Sequence, residues 1–325
     1  MVDGEGMLEA IDGMADHLVV GEQIGLEAGA RVPQPTAVVI AGMGGSAMSG
    51  ELLRALVVGD APVPVTRVRG FAIPKWAGRG TLVVCSSYSG DTVETLACAE
   101  QAWRQGATLL CVGMGGELGE RAAAWGVPFA QVPGGLYPRA ALGYLFGAMA
   151  GAFEACGLAR RGVARECAAG VAAVDREAAA DLGRRLVGTV PLIYGAGPLA
   201  AVAYRWKTQL NENAKMHAFS HAFPELDHNE IEGWDGARDG RFSAVLLRDS
   251  SEGAAVARLI DVTGDLIEPD AELVEHVHGR GETTAARAFS MVAQGDWVSY
   301  HAAVERGVDP SPVTRILALK QRLDG

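Results

Sequence analysis

Four serine and threonine hydroxyls fall within seven residues in the stretch Ser86-Ser87-Tyr88-Ser89-Gly90-Asp91-Thr92. The apolar run 81–85 precedes them and an amphipathic stretch from Val93 follows, which reads as strand, turn and helix. Such a turn aims backbone N–H groups and the positive end of a helix at one point. The hydroxyls add donors there, and no lysine accompanies them. The chemistry this suggests is the binding of a phosphorylated metabolite by neutral dipoles. A single Ser or Thr before a helix would be an ordinary N-cap; several together, with Gly90 inside the turn, indicate a ligand site.

Two further groups could move protons. Glu212 sits near the end of a predicted helix (200–215), between Asn211 and Asn213. It is either a solvated surface carboxylate, the usual fate of Glu, or a positioned base, and the local sequence leaves both open. Residues 217–230 then hold His217, His221 and His228 with Glu225, Asp227 and Glu230. On a helix His217 and His221 would have the i, i+4 spacing of a zinc chelate. There is no HExxH, however, and Pro224 separates them from His228, so no metal site is expected. His228, in a polar loop, suits a proton shuttle better than a core position.

The elements that must carry these groups follow from hydrophobic periodicity. Short apolar strands are predicted at 37–40, 63–68, 81–85, 108–112 and 128–132, alternating with helices. The pattern restarts at 190–194, with a glycine turn at 195–199, a helix at 200–215, strands at 242–248 and 270–277, and helices at 285–306 and 314–323. Strand, glycine turn and helix thus occur twice, near 37–58 and 190–215, joined by an Ala-rich helical stretch. The fold class is therefore α/β, with two parallel sheets flanked by helices. The domains are expected at 1–155 and 156–325. Ligands on such sheets sit beyond the C-terminal strand ends, where the serine turn lies.

Composition narrows the function. The 28 Lys and Arg against 39 Asp and Glu leave a formal charge of −11 with no basic block, so no nucleic-acid partner is expected. Five widely spaced cysteines without a CxxC suggest buried free thiols. The acidic N-terminus lacks a signal-peptide core. The uncharged run 140–153 is too short to span a bilayer, and its small residues suit close helix packing, as at a subunit interface. A soluble, cytoplasmic protein without membrane association is expected. Gly42-x-Gly44-x-x-Ala47 formally matches a dinucleotide fingerprint, with Arg67 and Arg69 on the next strand favouring NADP. That reading leaves the hydroxyl turn unexplained, and no cofactor is expected.

Taken together, these stretches resemble the bifunctional phosphoglucose/phosphomannose isomerase family, built from two SIS (sugar-isomerase, flavodoxin-like) domains. The resemblance runs through 42–47, 86–96, 133–141, 211–215 and 224–230 to the tail at 309–320. It implies an aldose–ketose isomerase acting on glucose, mannose and fructose 6-phosphates through a cis-enediol, without a metal. Gly45, Ser46, Ser87, Ser89 and Thr92 match the family's substrate contacts, and Arg139 the cation that steadies the enediolate. Glu212 matches its base, His228 its ring-opening acid and Lys320 a partner in that step. The histidine comes from the neighbouring subunit in that family, which implies a homodimer with its active site at the subunit interface. His217 and His221 depart from the family pattern, as do 280–285 and 312–315, where Thr314 is a candidate for epimer choice. The alternatives are a non-catalytic sugar-phosphate sensor, an isomerase of another sugar phosphate and an NADP-dependent oxidoreductase.

Overall fold

The computed structural model describes residues 3–323. In chain order the elements are α1 (Met7–Asp12), α2 (Met14–Gly29), β1 (Ala37–Gly42), α3 (Gly44–Val57), β2 (Val65–Val68), β3 (Thr81–Ser86), α4 (Val93–Arg104), β4 (Thr108–Gly113), α5 (Gly116–Trp125) and β5 (Phe129–Gln131). Then come α6 (Leu142–Ala155), α7 (Val163–Ala172), α8 (Arg176–Leu186), β6 (Val190–Ala196), α9 (Leu199–Glu212) and β7 (Phe219–Phe223). The chain closes with β8 (Phe242–Arg248), α10 (Ala254–Ile267), β9 (Leu273–His278), α11 (Thr284–Glu305) and α12 (Thr314–Leu323).

Two compact units result. One comprises Asp12–Ala173 with Gly279–Ser290; the other comprises Met1–Ile11, Val174–His278 and Met291–Gly325. The first unit holds a parallel sheet in the order β2-β1-β3-β4-β5. All six residues of β3 are buried, as expected of a strand covered on both faces, where β-branched and apolar residues fill every position. The strand order reverses direction between β1 and β3, which makes their C-terminal ends the switch point. Gly42 and Ser86 are paired there.

Helices α2 and α6 pack closely in this unit along facing glycines. A Cβ on Gly25 would lie 2.0 Å from the Ala148 carbonyl oxygen, and one on Gly147 would lie 2.3 Å from that of Leu18. The small-residue run at 140–153 therefore packs against α2 of its own chain rather than requiring a second subunit. Helix α3 starts at Gly44, so the glycine motif forms the first turn of the helix. All five cysteines are free and buried, and burial pushes the Cys111 thiol up to about 12.

The second unit holds a parallel sheet in the order β7-β6-β8-β9. Strand β7 and helix α10 are missing from the sequence reading. Residues 219–223 carry Ser and His amid aromatics and gain their strand identity only from pairing with β6. His221 is consequently on a strand, and the helical i, i+4 geometry required for a chelate is absent. Among the described residues no helix is long and apolar enough to cross a membrane.

Candidate active site

In the first unit the predicted binding residues converge on the switch point. The Gly45 and Ser46 backbones open α3 and Thr92 is the N-cap of α4. Neither N-cap residue, Met43 or Thr92, makes a side-chain cap bond, which leaves two helix N-termini available to an anion. Thr92 Oγ1 instead lies 2.9 Å from Ser87 Oγ, and Ser87 Oγ also accepts the Gly90 N–H at 3.1 Å. The pair shares one hydrogen bond, so one of its two hydroxyl protons is not used by the pair.

Ser46 Oγ accepts the Tyr88 N–H at 3.0 Å, tying the two turns together, and Ser89 Oγ accepts the Asp91 N–H at 3.2 Å. Ser46 and Ser87 are buried, so the turn is organised before any ligand arrives. Gly90 has φ +88°, and a Cβ there would sit 2.0 Å from the Gly115 carbonyl oxygen. Only glycine fits that position without rebuilding the loop.

Arg139 joins this group from the loop between β5 and α6. It is 3 % exposed, with its guanidinium carbon 5.0 Å from the Tyr137 ring centroid. A Cβ on Gly45 would meet the Pro138 carbonyl oxygen at 2.6 Å and Arg139 Cα at 3.0 Å. The absence of that side chain is what lets the Arg139 backbone approach the start of α3.

The second unit holds the residues expected to move protons. Glu212 ends α9, and α9 is anchored to α11 by a buried polar seam. Arg205 donates to Asp296 at 3.0 and 2.6 Å with both side chains 1 % exposed. Trp206 Nε1 donates to the Met291 carbonyl at 2.7 Å, and Asn213 Nδ2 to Ser299 Oγ at 2.9 Å. Breaking such a buried ion pair by removing one partner costs about 3–5 kcal/mol, so the helix end is firmly set.

Past Glu212 the chain reverses at Lys215, which has φ +54°. The Lys215 ammonium donates to the Glu212 carbonyl and to the carbonyls of Pro310 (3.2 Å) and Pro312 (2.8 Å). It thereby satisfies a carbonyl at the negative end of the helix and pins the segment that leads into α12. Arg306 braces the same corner through the Ala214 and Lys215 carbonyls. Sequence reasoning gave neither cation a role; the signal for Lys215 was its place just past a helix end.

Between these walls lies a cavity of about 540 Å³, lined by Asn211, Glu212, Lys215, Met216, His217 and residues 312–316. Glu212 is therefore a cavity carboxylate within its unit, and Thr314 stands on the same rim.

His228 and Lys320 do not line this cavity. His228 ends a short 3-10 segment, Glu225–His228, and is exposed. Its surroundings are fixed by anchored acids on either side. Asp227 accepts from Thr263 Oγ1 at 2.9 Å, while Glu230 accepts from the Tyr194 hydroxyl at 2.6 Å and pairs with His221 Nδ1 at 2.8 Å. Burial, then Glu230, push the Tyr194 phenol far up, so it remains a donor. His221 thus has a structural partner, whereas His217 faces the Glu212 cavity. Lys320 lies on α12, a helix with no buried residue. Among the described residues no group of three or more His, Cys, Asp or Glu could hold a metal.

Residues 175–323 match the bacterial phospho-glucose isomerase C-terminal SIS domain. The chain is similar to a bifunctional phosphoglucose/phosphomannose isomerase from Caldicellulosiruptor bescii, 34% identical, with 98% of each chain covered. It is also similar to a D-glucosamine-6-phosphate 4-epimerase from Sulfolobus acidocaldarius, 32% identical over 70% of this chain and 73% of that one. In fold it resembles tagatose-6-phosphate ketose/aldose isomerase from Escherichia coli, with TM-score 0.71, 14% identity and 94% of each chain covered. Two parallel sheets, a hydroxyl-lined switch point and end-to-end similarity at 34% identity together mean that this chain belongs to the bifunctional phosphoglucose/phosphomannose isomerase family.

Proposed function

We propose that the protein interconverts glucose 6-phosphate, mannose 6-phosphate and fructose 6-phosphate through a cis-enediol, with no metal in any step. The observation that carries this reading is the half-buried Glu212 on the wall of a cavity, at the end of a helix locked by Arg205, Trp206 and Asn213. An aldose–ketose isomerase needs one base that removes the proton at C2 and returns it at C1, and water must be kept from that proton.

The phosphate binds at the turn of Gly45, Ser46, Ser87, Ser89 and Thr92, where two helix N-termini and hydroxyls supply donors. Glu212 takes the C2 proton, and the electron pair forms the enediolate. Arg139 stabilises that negative charge. A preorganised donor of this kind contributes about 3–4 kcal/mol. His228 protonates the ring oxygen and Lys320 assists ring opening, with His228 supplied by the partner of a homodimer. The exposure of His228 and the exposed apolar residues Leu319 and Leu323 of α12 accord with such an arrangement. This activity belongs to carbohydrate metabolism in the cytoplasm, serving glycolysis and gluconeogenesis.

The similarity to a 4-epimerase of an amino-sugar phosphate supports a second reading, in which the same phosphate turn serves chemistry at C4. Incubation of the protein with fructose 6-phosphate and excess EDTA decides between them. Formation of both glucose and mannose 6-phosphates is the expected result. Glucose 6-phosphate alone removes the mannose assignment and leaves the mechanism standing. Turnover of glucosamine 6-phosphate to its 4-epimer, with fructose 6-phosphate unchanged, overturns the reading.

A further inference from the structure

One residue of the hydroxyl turn has its side chain held by a different segment. Tyr88 lies among the serines, yet its ring is buried at 3 % exposure. Its backbone belongs to the turn: the N–H donates to Ser46 Oγ at 3.0 Å, and the carbonyl accepts from Met114 N at 2.9 Å. Its phenol belongs to a different segment. The hydroxyl donates to the Pro133 carbonyl at 3.1 Å and accepts the Leu136 N–H at 3.1 Å. Burial pushes this phenol's pKa up, opposed by the Leu136 N–H, so at neutral pH it keeps the proton it donates.

The segment so held is the one that carries Arg139. From the end of β5 at Gln131 to the start of α6 at Leu142 no helix or strand supports the chain. Residues Gly134, Gly135 and Pro138 are exposed, and Gly135 has φ +93°. The Arg139 end is bounded on one side by Gly45, whose missing Cβ admits the Pro138 carbonyl. The other end is tethered by Tyr88. A turn closes between them, with the Tyr137 carbonyl accepting from Ala140 N at 2.8 Å and Ala141 N at 3.0 Å.

We infer that Tyr88 is a positioning residue for the reaction: its hydroxyl, bridging Pro133 and Leu136, sets the loop that places the Arg139 guanidinium. This rests on the reading of Arg139 as the enediolate-stabilising cation. A cation misplaced by about 1 Å loses much of its effect on the transition state while ground-state binding survives. Tyr88 is expected to govern kcat and leave phosphate affinity alone.

A double-mutant cycle on the full-length protein tests this, using Tyr88→Phe, Arg139→Met and the combination. The readouts are kcat and KM for fructose 6-phosphate, the Kd of inorganic phosphate, and the Kd of 5-phospho-D-arabinonate, whose carboxylate mimics the enediolate. Arg139→Met is expected to lower kcat about 10²–10³-fold. Tyr88→Phe is expected to lower kcat about 10-fold and weaken the arabinonate similarly, with KM and phosphate Kd within about 2-fold. In the Arg139→Met background the same change should cost less than about 2-fold, because the group it positions has gone. Leu136→Pro removes the N–H from the same tether without touching the turn, and the same pattern is expected from it.

Equal effects of Tyr88→Phe in both backgrounds, an effect confined to phosphate affinity, or no effect at all would each overturn the inference while leaving the Arg139 assignment intact. If Arg139→Met itself leaves kcat unchanged, the Arg139 assignment is wrong and the inference goes with it.

Discussion

The two sheets present the same topological opportunity and use it in opposite ways. In the first unit the switch point between β1 and β3 is framed by Ser46, Ser87, Ser89 and Thr92, and among the described residues no carboxylate accepts from their hydroxyls. In the second, the switch point between β6 and β8 is framed by Gly195, Ala196, Gly197 and Pro198 on one side, which offer no side-chain donor. On the other side it is filled with ions. Arg248 pairs with Glu252 at 2.6 Å and Asp261 at 2.5 Å, and Asp249 accepts both the N–H and the hydroxyl of Ser251. One cation among three carboxylates repels a phosphate. The chemistry proposed for that unit lies instead at the far end of α9, about 20 Å along the helix from its start, where Glu212 stands. Fold supplies a place for a site; the side chains decide whether it becomes one.

The largest effect should come from that helix end. Glu212→Gln keeps the shape of the cavity and removes the base. We expect kcat to fall about 10³-fold with KM and melting temperature nearly unchanged, measured by coupled assay and thermal unfolding. Near-normal turnover would return the catalytic role to another group and erase the contrast between the two ends of α9.

Next comes the hydroxyl pair. Ser87→Ala with Thr92→Val removes the one hydroxyl proton that the pair leaves for a charged ligand, worth about 1.5–3 kcal/mol. We expect KM to rise about 10–10²-fold and inorganic phosphate binding, followed by calorimetry, to weaken by a similar factor. Phosphate binding that survived undiminished at one per chain would mean that the second switch point also accepts anions, against the argument from Arg248 and its carboxylates.

How much of this was legible in the sequence follows from what each feature depends on. The serine turn could be read because hydroxyls, Gly90 and the flanking strand and helix are local in the chain. Strand β8 and helix α12 were located to the residue (Phe242–Arg248, Thr314–Leu323), since an apolar run and an amphipathic run carry their own signals. Strand β7 was hidden because its identity comes from pairing with β6. His17 and His301 stack on Tyr144 and Trp297, contacts that join residues distant in sequence or on one helix face and that no local pattern marks. The pairing of Arg248 with Glu252 cannot be read from the sequence, because a charge run looks the same whether it faces water or an ion pair. Lys215 was visible as a residue, but its bonds to Pro310 and Pro312 join points 95 and 97 positions apart.

The ion cluster at the second switch point gives a smaller and purely structural prediction. Arg248→Met leaves Glu252 half-enclosed without its cation. A loss of about 2–3 kcal/mol of stability is expected, read by urea unfolding, with kcat per folded molecule unchanged. A fall in kcat without loss of stability would show that this region takes part in turnover.

The smallest effect concerns acid. His276 Nδ1 lies 3.1 Å from Arg248 Nη1, a contact in which the guanidinium donates and the ring nitrogen must be unprotonated. Burial, then Arg248, hold the His276 pKa below its ordinary value of 6.5; burial also lowers His17 and His301. A histidine whose folded pKa is depressed stabilises the fold while it is neutral in both states, that is above about 6.5. As pH falls below that value the unfolded chain takes up a proton before the folded one does, and stability is lost until the folded pKa is passed. The folded protein should therefore weaken between about pH 6.5 and 5, before most carboxylates titrate. His276→Gln retains an acceptor for Arg248 and removes the titration, so its urea midpoint should depend less on pH across that interval. An identical slope in the variant would mean that the cluster tolerates a protonated His276, and that its three carboxylates outweigh Arg248 at that position.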